Sequence, residues 1–477
     1  MAKLQIFAFT VLVCALLQTS SAPAAPCSVS IDAAGPLTEI NPKLMGVNLV
    51  YSKESDSYWS NGTVANHLKD LGCGFLRWPG GEVNSYVHWN DMIASAQVDT
   101  WNPSWNGKRG SASSYMNLDE YITLQRKVGC EPLVGVNMES GAKYNREQKG
   151  VDDAKALVQY CKDKGYNVKY WFMDNESYLN NTSNNYHFTA TEYADHVNTY
   201  ANAMKTVDPN ILIICNWTSA WSTEWSTIVS KCGSNIDIMD NHLYWMNGGG
   251  VDWAKWLGQT PMSWNGKSYK TIISGERTGL KGLGREDVQL ASFEWNVGPQ
   301  PSTSLSYYQA ALMEAEQFGQ YISAGMDMAC MWPMHGSDDY RQMFTSSGAP
   351  HANFQMFGMY KDVMGQKRIT GTSDHPEVPV VAALSNDGST LWVYLLRKTG
   401  EGVADLEVNL QLKGFAPGSA TARVFYAASL SSNTPTITDL PVTSMIPITL
   451  SLPAHSFTQI TLHRADSRSR TWTQYQK

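Results

Sequence analysis

The chain has 477 residues, more than one ordinary domain needs, and suits one large and one small domain that each bury a core. Its net charge of -7 and isoelectric point near 5.8, with Lys and Arg nowhere clustered, give no basic stripe for a nucleic-acid backbone and exclude that partner. No internal repeat and no low-complexity segment is present.

Residues 1–25 read as a secretion signal: Lys3, an apolar run over 6–17, then Ser20-Ser21-Ala22-Pro23-Ala24-Ala25. That run is shorter than the about 18 apolar residues a membrane span needs. No later stretch reaches that length, so no membrane span is expected and the mature chain is expected to be secreted and extracellular. Loss of the signal removes Cys14 and leaves Cys27, Cys73, Cys130, Cys161, Cys215, Cys232 and Cys330, an odd set that leaves at least one thiol free. Cys215 and Cys330 fall in apolar runs and read as small buried hydrophobes. Formal sequons occur at Asn61, Asn180, Asn181 and Asn216. One more, at Asn175, would carry its glycan into the site proposed below.

Residues 26–40 are extended and are expected to add strands to a sandwich that follows later in the chain. Over 41–365, short apolar runs alternate with amphipathic stretches, the pattern of parallel strands joined by helices. The runs are 45–51, 73–78, 132–137, 168–173, 211–216, 236–242, 289–294 and 326–332. Helical periodicity occupies 118–128, 152–164, 191–207, 273–283 and 304–324. Eight such units predict a (β/α)8 TIM barrel, whose functional groups gather at the C-terminal strand ends. A polar, aromatic-rich insert at 84–115 carries Trp89, Trp101 and Trp105 and is placed to wall a cleft. Over 366–465 helical periodicity gives way to short alternating runs at 378–384, 390–397, 406–412, 420–426, 448–452 and 457–463. Gly414, Pro417-Gly418 and Ser431-Ser432-Asn433 punctuate them, so this part reads as a C-terminal antiparallel β-sandwich. Residues 466–477 form a polar tail. The fold class is α/β with an appended all-β domain.

Two of the barrel runs end abruptly in a carboxylate: Trp171-Phe172-Met173-Asp174-Asn175-Glu176 and Phe293-Glu294-Trp295-Asn296. Two carboxylates facing one sugar across a barrel rim are what glycosidic cleavage with retention requires, one as acid and base, the other as nucleophile. Glu176 suits the acid/base role if the charge of Glu294 raises its pKa, and Glu294 needs donors that hold it ionised. Their separation is expected to be about 5 to 5.5 Å. The 17 Trp and 23 Tyr suit stacking against sugar faces, although for most individual rings burial in the core is the plainer reading.

Four short motifs in barrel order, Arg77-Trp78-Pro79-Gly80-Gly81, Asn175-Glu176, His242-Leu243-Tyr244 and Glu294-Trp295-Asn296, resemble the glycoside hydrolases of clan A. Within it they look most like α-L-arabinofuranosidases, with weaker similarity to xylosidase-like, glucuronidase-like and agarase-like relatives. The resemblance implies a retaining enzyme with Glu176 as acid/base and Glu294 as nucleophile. It further implies that Arg77 donates to Glu294, Asn175 bonds the sugar 2-hydroxyl, Tyr244 orients Glu294, His242 sits near Glu176, Trp332 floors the pocket and Asn48 meets a sugar hydroxyl. The chain departs from that pattern in having Phe293, where an aspartate commonly precedes the nucleophile, and Ser177-Tyr178-Leu179 after the acid/base.

Each of these residues has a structural alternative. Glu176 could be a helix-start carboxylate, Glu294 a rim ion-pair partner, Arg77 a structural cation, His242 a satisfied rim histidine and Trp332 core. Glu276 is the rival nucleophile, but Leu280 and Leu283 follow it at helical spacing. Glu139 is left without a role. The expected function is therefore a secreted retaining glycosidase acting on plant or algal wall poly- or oligosaccharides, arabinofuranosidase-like first. An endo-acting β-glycanase of agarase or xylanase type is the alternative, and a non-catalytic carbohydrate-binding protein is the alternative of another class. No nucleotide loop, metal cage or PLP-type lysine context occurs, so no cofactor is implied.

Overall fold

The computed structural model describes residues 26–179, 186–218, 220–245, 250–298, 305–336 and 339–465. The expected signal, the polar tail and the sequons at Asn180 and Asn181 lie outside these residues. The eight apolar runs form eight parallel strands that close into a barrel: Gly46–Asn48, Phe75–Trp78, Glu131–Val136, Tyr170–Met173, Leu212–Trp217, Ile238–Trp245, Gln289–Val297 and Met328–Met331. They are called strands one to eight below. Alternate side chains of seven of them fill the interior, including Phe75, Leu133, Phe172, Ile214, Ile238, Phe293 and Cys330. Strand one passes so close to strand eight that a Cβ on Gly46 would lie 2.3 Å from the Ala329 carbonyl oxygen.

Several helices outside the barrel carry caps written in their sequences, although the helices expected over 152–164 and 304–324 begin at Glu147 and Tyr307. Asn117 and Glu120 form a capping box at the start of Leu118–Val128, as do Thr189 and Glu192 for Ala190–Lys205, and Ser306 and Gln309 for Tyr307–Ala324. Gly129 and Gly325 close the first and last of these in the left-handed conformation that other residues enter at a cost. The helix expected over 273–283 is Tyr269–Gly282, because the Ser268 hydroxyl accepts from Thr271 N and caps it four residues earlier.

The second domain is one sheet folded over itself into two layers, with strand order Thr436–Leu440, Pro417–Tyr426, Ser456–Arg464, Thr390–Arg397, Val380–Leu384, Lys367–Ser373, Cys27–Asp32, Leu406–Lys413, Ile448–Leu452, Val442–Met445. Its layers share a core built from Val29, Ile31, Val393, Leu395, Val408, Leu450 and Ile460. All pairings are antiparallel except that of Cys27–Asp32 with Leu406–Lys413. The extended N-terminal segment thus enters the sheet, and Thr38–Glu39 adds a short strand beside Lys367–Ser373. Three strands lie outside the sequence expectation: Lys367–Ser373, Thr436–Leu440 and Val442–Met445. All three are mostly exposed or half-buried, so no clear inside-outside alternation is written into them.

The domains are pinned by a buried ion pair, Lys398 Nζ to Glu316 Oε2 at 2.9 Å, with Lys398 also 4.5 Å over the Trp256 ring. Burial pushes the Glu316 carboxyl up and the Lys398 amine down from their ordinary values, against the mutual attraction. Lys398→Ala is expected to cost about 3–5 kcal/mol in urea denaturation, whereas Lys398→Met combined with Glu316→Leu should recover most of that loss. Among the described residues all seven cysteines are free and buried, and no helix is long and apolar enough to cross a membrane. Asn61 is exposed, but Asn175 and Asn216 are each 1% exposed, so in the folded chain neither sequon can receive a glycan.

Candidate active site

At the C-terminal rim of the barrel lies a cavity of about 880 Å³, lined among others by Gly81, Glu82, Asn175, Glu176, His242, Tyr244, Glu294 and Trp332. Glu176 reaches it because the chain turns sharply after strand four, with Asp174 and Glu176 both left-handed at φ 62° and 47°. Such φ values are strained for non-glycine residues and need outside support. Asp174 supplies part of it, since its carboxylate accepts from Asn175 N at 2.8 Å, Met138 N at 2.7 Å, Glu139 N at 2.6 Å and the Ser85 hydroxyl. One buried side chain thereby ties together the loops after strands two, three and four. Asn216 supplies the rest, accepting from Glu176 N at 2.9 Å.

Glu294 is aimed by a break in strand seven, whose pairing with strand six shifts register between Ala291 and Glu294. Its Oε1 accepts from Arg77 Nη1 at 2.8 Å and its Oε2 from the Tyr244 hydroxyl at 2.9 Å. Arg77 is buried on strand two, lies 4.0 Å over the Phe172 ring, and also donates to Asn175 Oδ1 at 2.6 Å and Asn48 Oδ1 at 2.9 Å. Asn175 Nδ2 is buried and has no hydrogen-bond partner, although the residue lines the cavity. A buried donor left in that state marks a place for an acceptor.

His242 joins the two carboxylates. Its Nδ1 is 2.8 Å from Glu176 Oε1 and 3.6 Å from Glu294 Oε2, and an oxygen of each carboxylate and a ring nitrogen all lie within 4.8 Å of one another. Burial works against the imidazolium, but Glu294, Glu176 and Asp240 overcome it and push the ring up to about 10. The expectation that Glu176 is raised fails for the same reason. Burial raises Glu176, yet His242, the Tyr178 hydroxyl at 3.0 Å and Arg77 outweigh it, and the net direction is down. Both shifts favour the arrangement in which His242 carries the proton and donates it along the hydrogen bond to Glu176. Among the described residues this is the one close grouping of three metal-ligand-type side chains, and Arg77 with the imidazolium already neutralises it.

Seven of the eight expected site residues meet at this cavity or one bond behind it. Asn48 is the exception, because it is fully buried: its Nδ2 donates to the carbonyls of Phe293, Cys330 and Met331, and its Oδ1 faces Arg77. It holds Arg77 and is not among the residues that line the cavity. Trp332 lines the cavity over Gly81, where a Cβ would lie 2.4 Å from its ring. The Pro-Gly-Gly turn exists to admit that ring, and Gly80 is equally constrained, a Cβ there falling 1.5 Å from the Leu49 carbonyl oxygen. Glu276 is excluded as nucleophile. It is buried in its helix, accepts from Asn241 Nδ2 at 2.6 Å, and is pushed by burial up to about 8. Glu139 faces neither substrate nor solvent: buried beside Asp174, it is pushed by burial and that charge up to about 9 and accepts from Tyr186 N.

The insert does not wall the cleft with its tryptophans. Trp101 is buried and stacked on His88 at 4.1 Å, Trp89 packs on Tyr160, Trp105 lies under Arg109, and the insert reaches the cavity through Ala96 and Gln97. Asp174, Asn216, Asp240, Glu82 and Trp264 escaped the sequence reading. Asp240 and Asp174 had a legible signal, a carboxylate within or at the end of an apolar strand.

The sequence model of the α-L-arabinofuranosidase 1 domain matches residues 67–250. A probable α-L-arabinofuranosidase C of Aspergillus fumigatus is 26% identical over 228 residues, 41% of this chain and 43% of that protein. An intracellular exo-α-(1→5)-L-arabinofuranosidase of Halalkalibacterium halodurans is 26% identical over 257 residues, 49% and 48% of the two chains. The match spans less than half the length of these curated relatives. In fold, the α-L-arabinofuranosidase of Thermotoga maritima, solved with arabinose, superposes with a TM-score of 0.72 at 18% identity, covering 92% of this chain and 100% of that one. The family 51 arabinofuranosidase of Xanthomonas axonopodis pv. citri gives 0.74 at 17% identity, covering 92% and 100%. The motifs, the matched domain and the barrel-plus-sandwich architecture together make this chain similar to the α-L-arabinofuranosidase-like glycoside hydrolases of clan A.

Proposed function

We propose that the chain is a retaining glycoside hydrolase that cleaves α-L-arabinofuranosyl or related linkages in wall-type poly- or oligosaccharides. The observation that carries this reading is the placement of Glu176 and Glu294 oxygens within 4.8 Å across one cavity. Oxygens this close fit the about 5–5.5 Å between the carboxyl groups of retaining enzymes better than the about 6.5–9.5 Å that leaves room for a water in inverting ones. In the first step Glu294, held by Arg77 and Tyr244, attacks the anomeric carbon, and the shared proton passes from the His242–Glu176 pair to the leaving oxygen. In the second, Glu176 takes a proton from water, which displaces the Glu294 carboxylate. Asn175 Nδ2, the open donor beside Glu176, binds the 2-hydroxyl of the reacting sugar.

A cavity of 880 Å³ lies in the upper range for drug-sized ligands and holds more than one sugar ring. That size favours oligosaccharides and keeps the endo-acting reading as the second one. We also propose export of the chain, on the strength of the charged, apolar and small-residue order of its first 25 residues. Amino-terminal sequencing of protein recovered from culture medium should begin near Ala22 to Pro26.

The test is product analysis on chromogenic glycosides and on arabinan, arabinoxylan, xylan and agar. Release of arabinose whose first-formed anomer keeps the substrate configuration supports the first reading. Internal cleavage of xylan or agar supports the second, and binding without turnover supports a carbohydrate-binding protein. Trp332→Ala should lower kcat/KM by roughly 10- to 100-fold, mainly through KM, because it removes a ring surface and leaves the carboxylates in place.

A further inference from the structure

We propose that Asp240 is the positioning residue that couples the two catalytic carboxylates, holding the backbone of each and the imidazole between them without touching substrate. The inference deepens the hydrolase reading and rests on it. Asp240 is fully buried within strand six, where its Oδ1 accepts from Phe293 N at 2.6 Å. Phe293 lies inside the register break of strand seven, so the carboxylate replaces the ladder acceptor lost there and fixes the direction of Glu294. Its Oδ2 accepts from Asn216 Nδ2 at 2.6 Å, which orients the Asn216 carbonyl oxygen toward Glu176 N and so supports the left-handed backbone of the acid/base. The same oxygen stands 3.3 Å from His242 Nε2, on the side of the ring opposite Glu176. A buried carboxylate there favours the doubly protonated ring, which keeps Nδ1 a donor to Glu176.

Among the described residues, other groups also face His242. Glu176 and Tyr178 face it from the loop after strand four, Glu294 from strand seven, Arg77 from strand two through Glu294, and Tyr244 from its own strand. The Phe172 ring lies parallel to the imidazole. Within reach of Asp240 are also Glu276, Tyr321 and Cys330, all raised by burial and therefore neutral at neutral pH. Asp240 is thus the anion that backs the imidazolium from the protein side.

Asp240→Asn keeps the side-chain size and an oxygen for Phe293 N, but sets an amide NH2 against two donors, Asn216 Nδ2 and His242 Nε2. Removing the negative charge lowers the affinity of His242 for its proton. Since the active form carries one proton on the His242–Glu176 pair, the alkaline limb of kcat/KM should move down by about one pH unit or more. kcat should fall by roughly 10²- to 10³-fold with KM changed less than about threefold. In nitrogen-15 spectra of His-labelled wild-type protein, His242 should stay protonated through neutral pH, and in Asp240→Asn it should titrate lower by a similar shift.

An unmoved alkaline limb in a folded Asp240→Asn variant would overturn the proposal. So would a wild-type His242 that titrates at or below the ordinary histidine value, a result readable even if every Asp240 variant misfolds. The spectra also separate this idea from the hydrolase reading. A wild-type protein that hydrolyses no glycoside but holds His242 protonated refutes the activity and supports the coupling.

Discussion

Glu294→Gln should abolish hydrolysis, with kcat on an aryl glycoside reduced by about 10⁴-fold or more, while the fold and ligand binding persist. Gln is the same size, and its amide oxygen can still accept from Arg77 or from Tyr244, so neither the strand-seven break nor the cavity should collapse. What disappears is the charge that attacks carbon. A chromogenic substrate panel, accompanied by denaturation midpoints and by calorimetric binding of an oligosaccharide, distinguishes the outcomes. Activity within a few-fold of wild type would mean that another group is the nucleophile. Glu276 would not inherit the role, because burial holds it neutral and away from the cavity.

Loss of Glu176 should act differently. Glu176→Ala removes the group that delivers and later recovers the proton, so turnover of substrates with poor leaving groups should fall by about 10²- to 10⁴-fold. Aryl glycosides with acidic phenols need little protonation, so they should form the glycosyl-enzyme readily and then stall. Added azide, which needs no general base, should attack the anomeric carbon, displace the Glu294 carboxylate and restore turnover. The product should be a glycosyl azide with the substrate's anomeric configuration. Rescue that gives the opposite configuration would show a single displacement and refute the assignment of both residues. The variant also frees His242 of its partner at 2.8 Å, so its pKa should fall, because one of the raising charges is gone while burial remains.

Much of this site was legible because the chemistry sits where apolar runs end. A strand that closes into a barrel must shed its apolar alternation at the rim, and a carboxylate placed there by sequence is delivered to the rim by the fold. Glu176 and Glu294 could be named on that ground, whereas Arg77, Asn175, His242, Tyr244 and Trp332 were named through the resemblance of their motifs to the clan A hydrolases. Asn48 obeyed the same rule and yet does not line the cavity, since strand one is only three residues long and its side chain turns inward to three carbonyls. The tryptophans of the insert misled in the same way. Their composition suited a cleft wall, but a large apolar ring is buried wherever neighbours offer it contact, as His88 does for Trp101.

The chain by itself determined the barrel, the sandwich and the two carboxylates, because periodicity, helix caps and strand-end polarity are local and survive without knowledge of neighbours. The tertiary structure alone decided the protonation of the site and its hidden supports. Whether His242 or Glu176 holds the proton depends on Arg77, Tyr178, Asp240 and Glu294, brought from three strands and one loop, and no local pattern encodes their summed field. The same holds for Asp174 and Asp240, whose meaning lies in backbone donors supplied by other strands and loops.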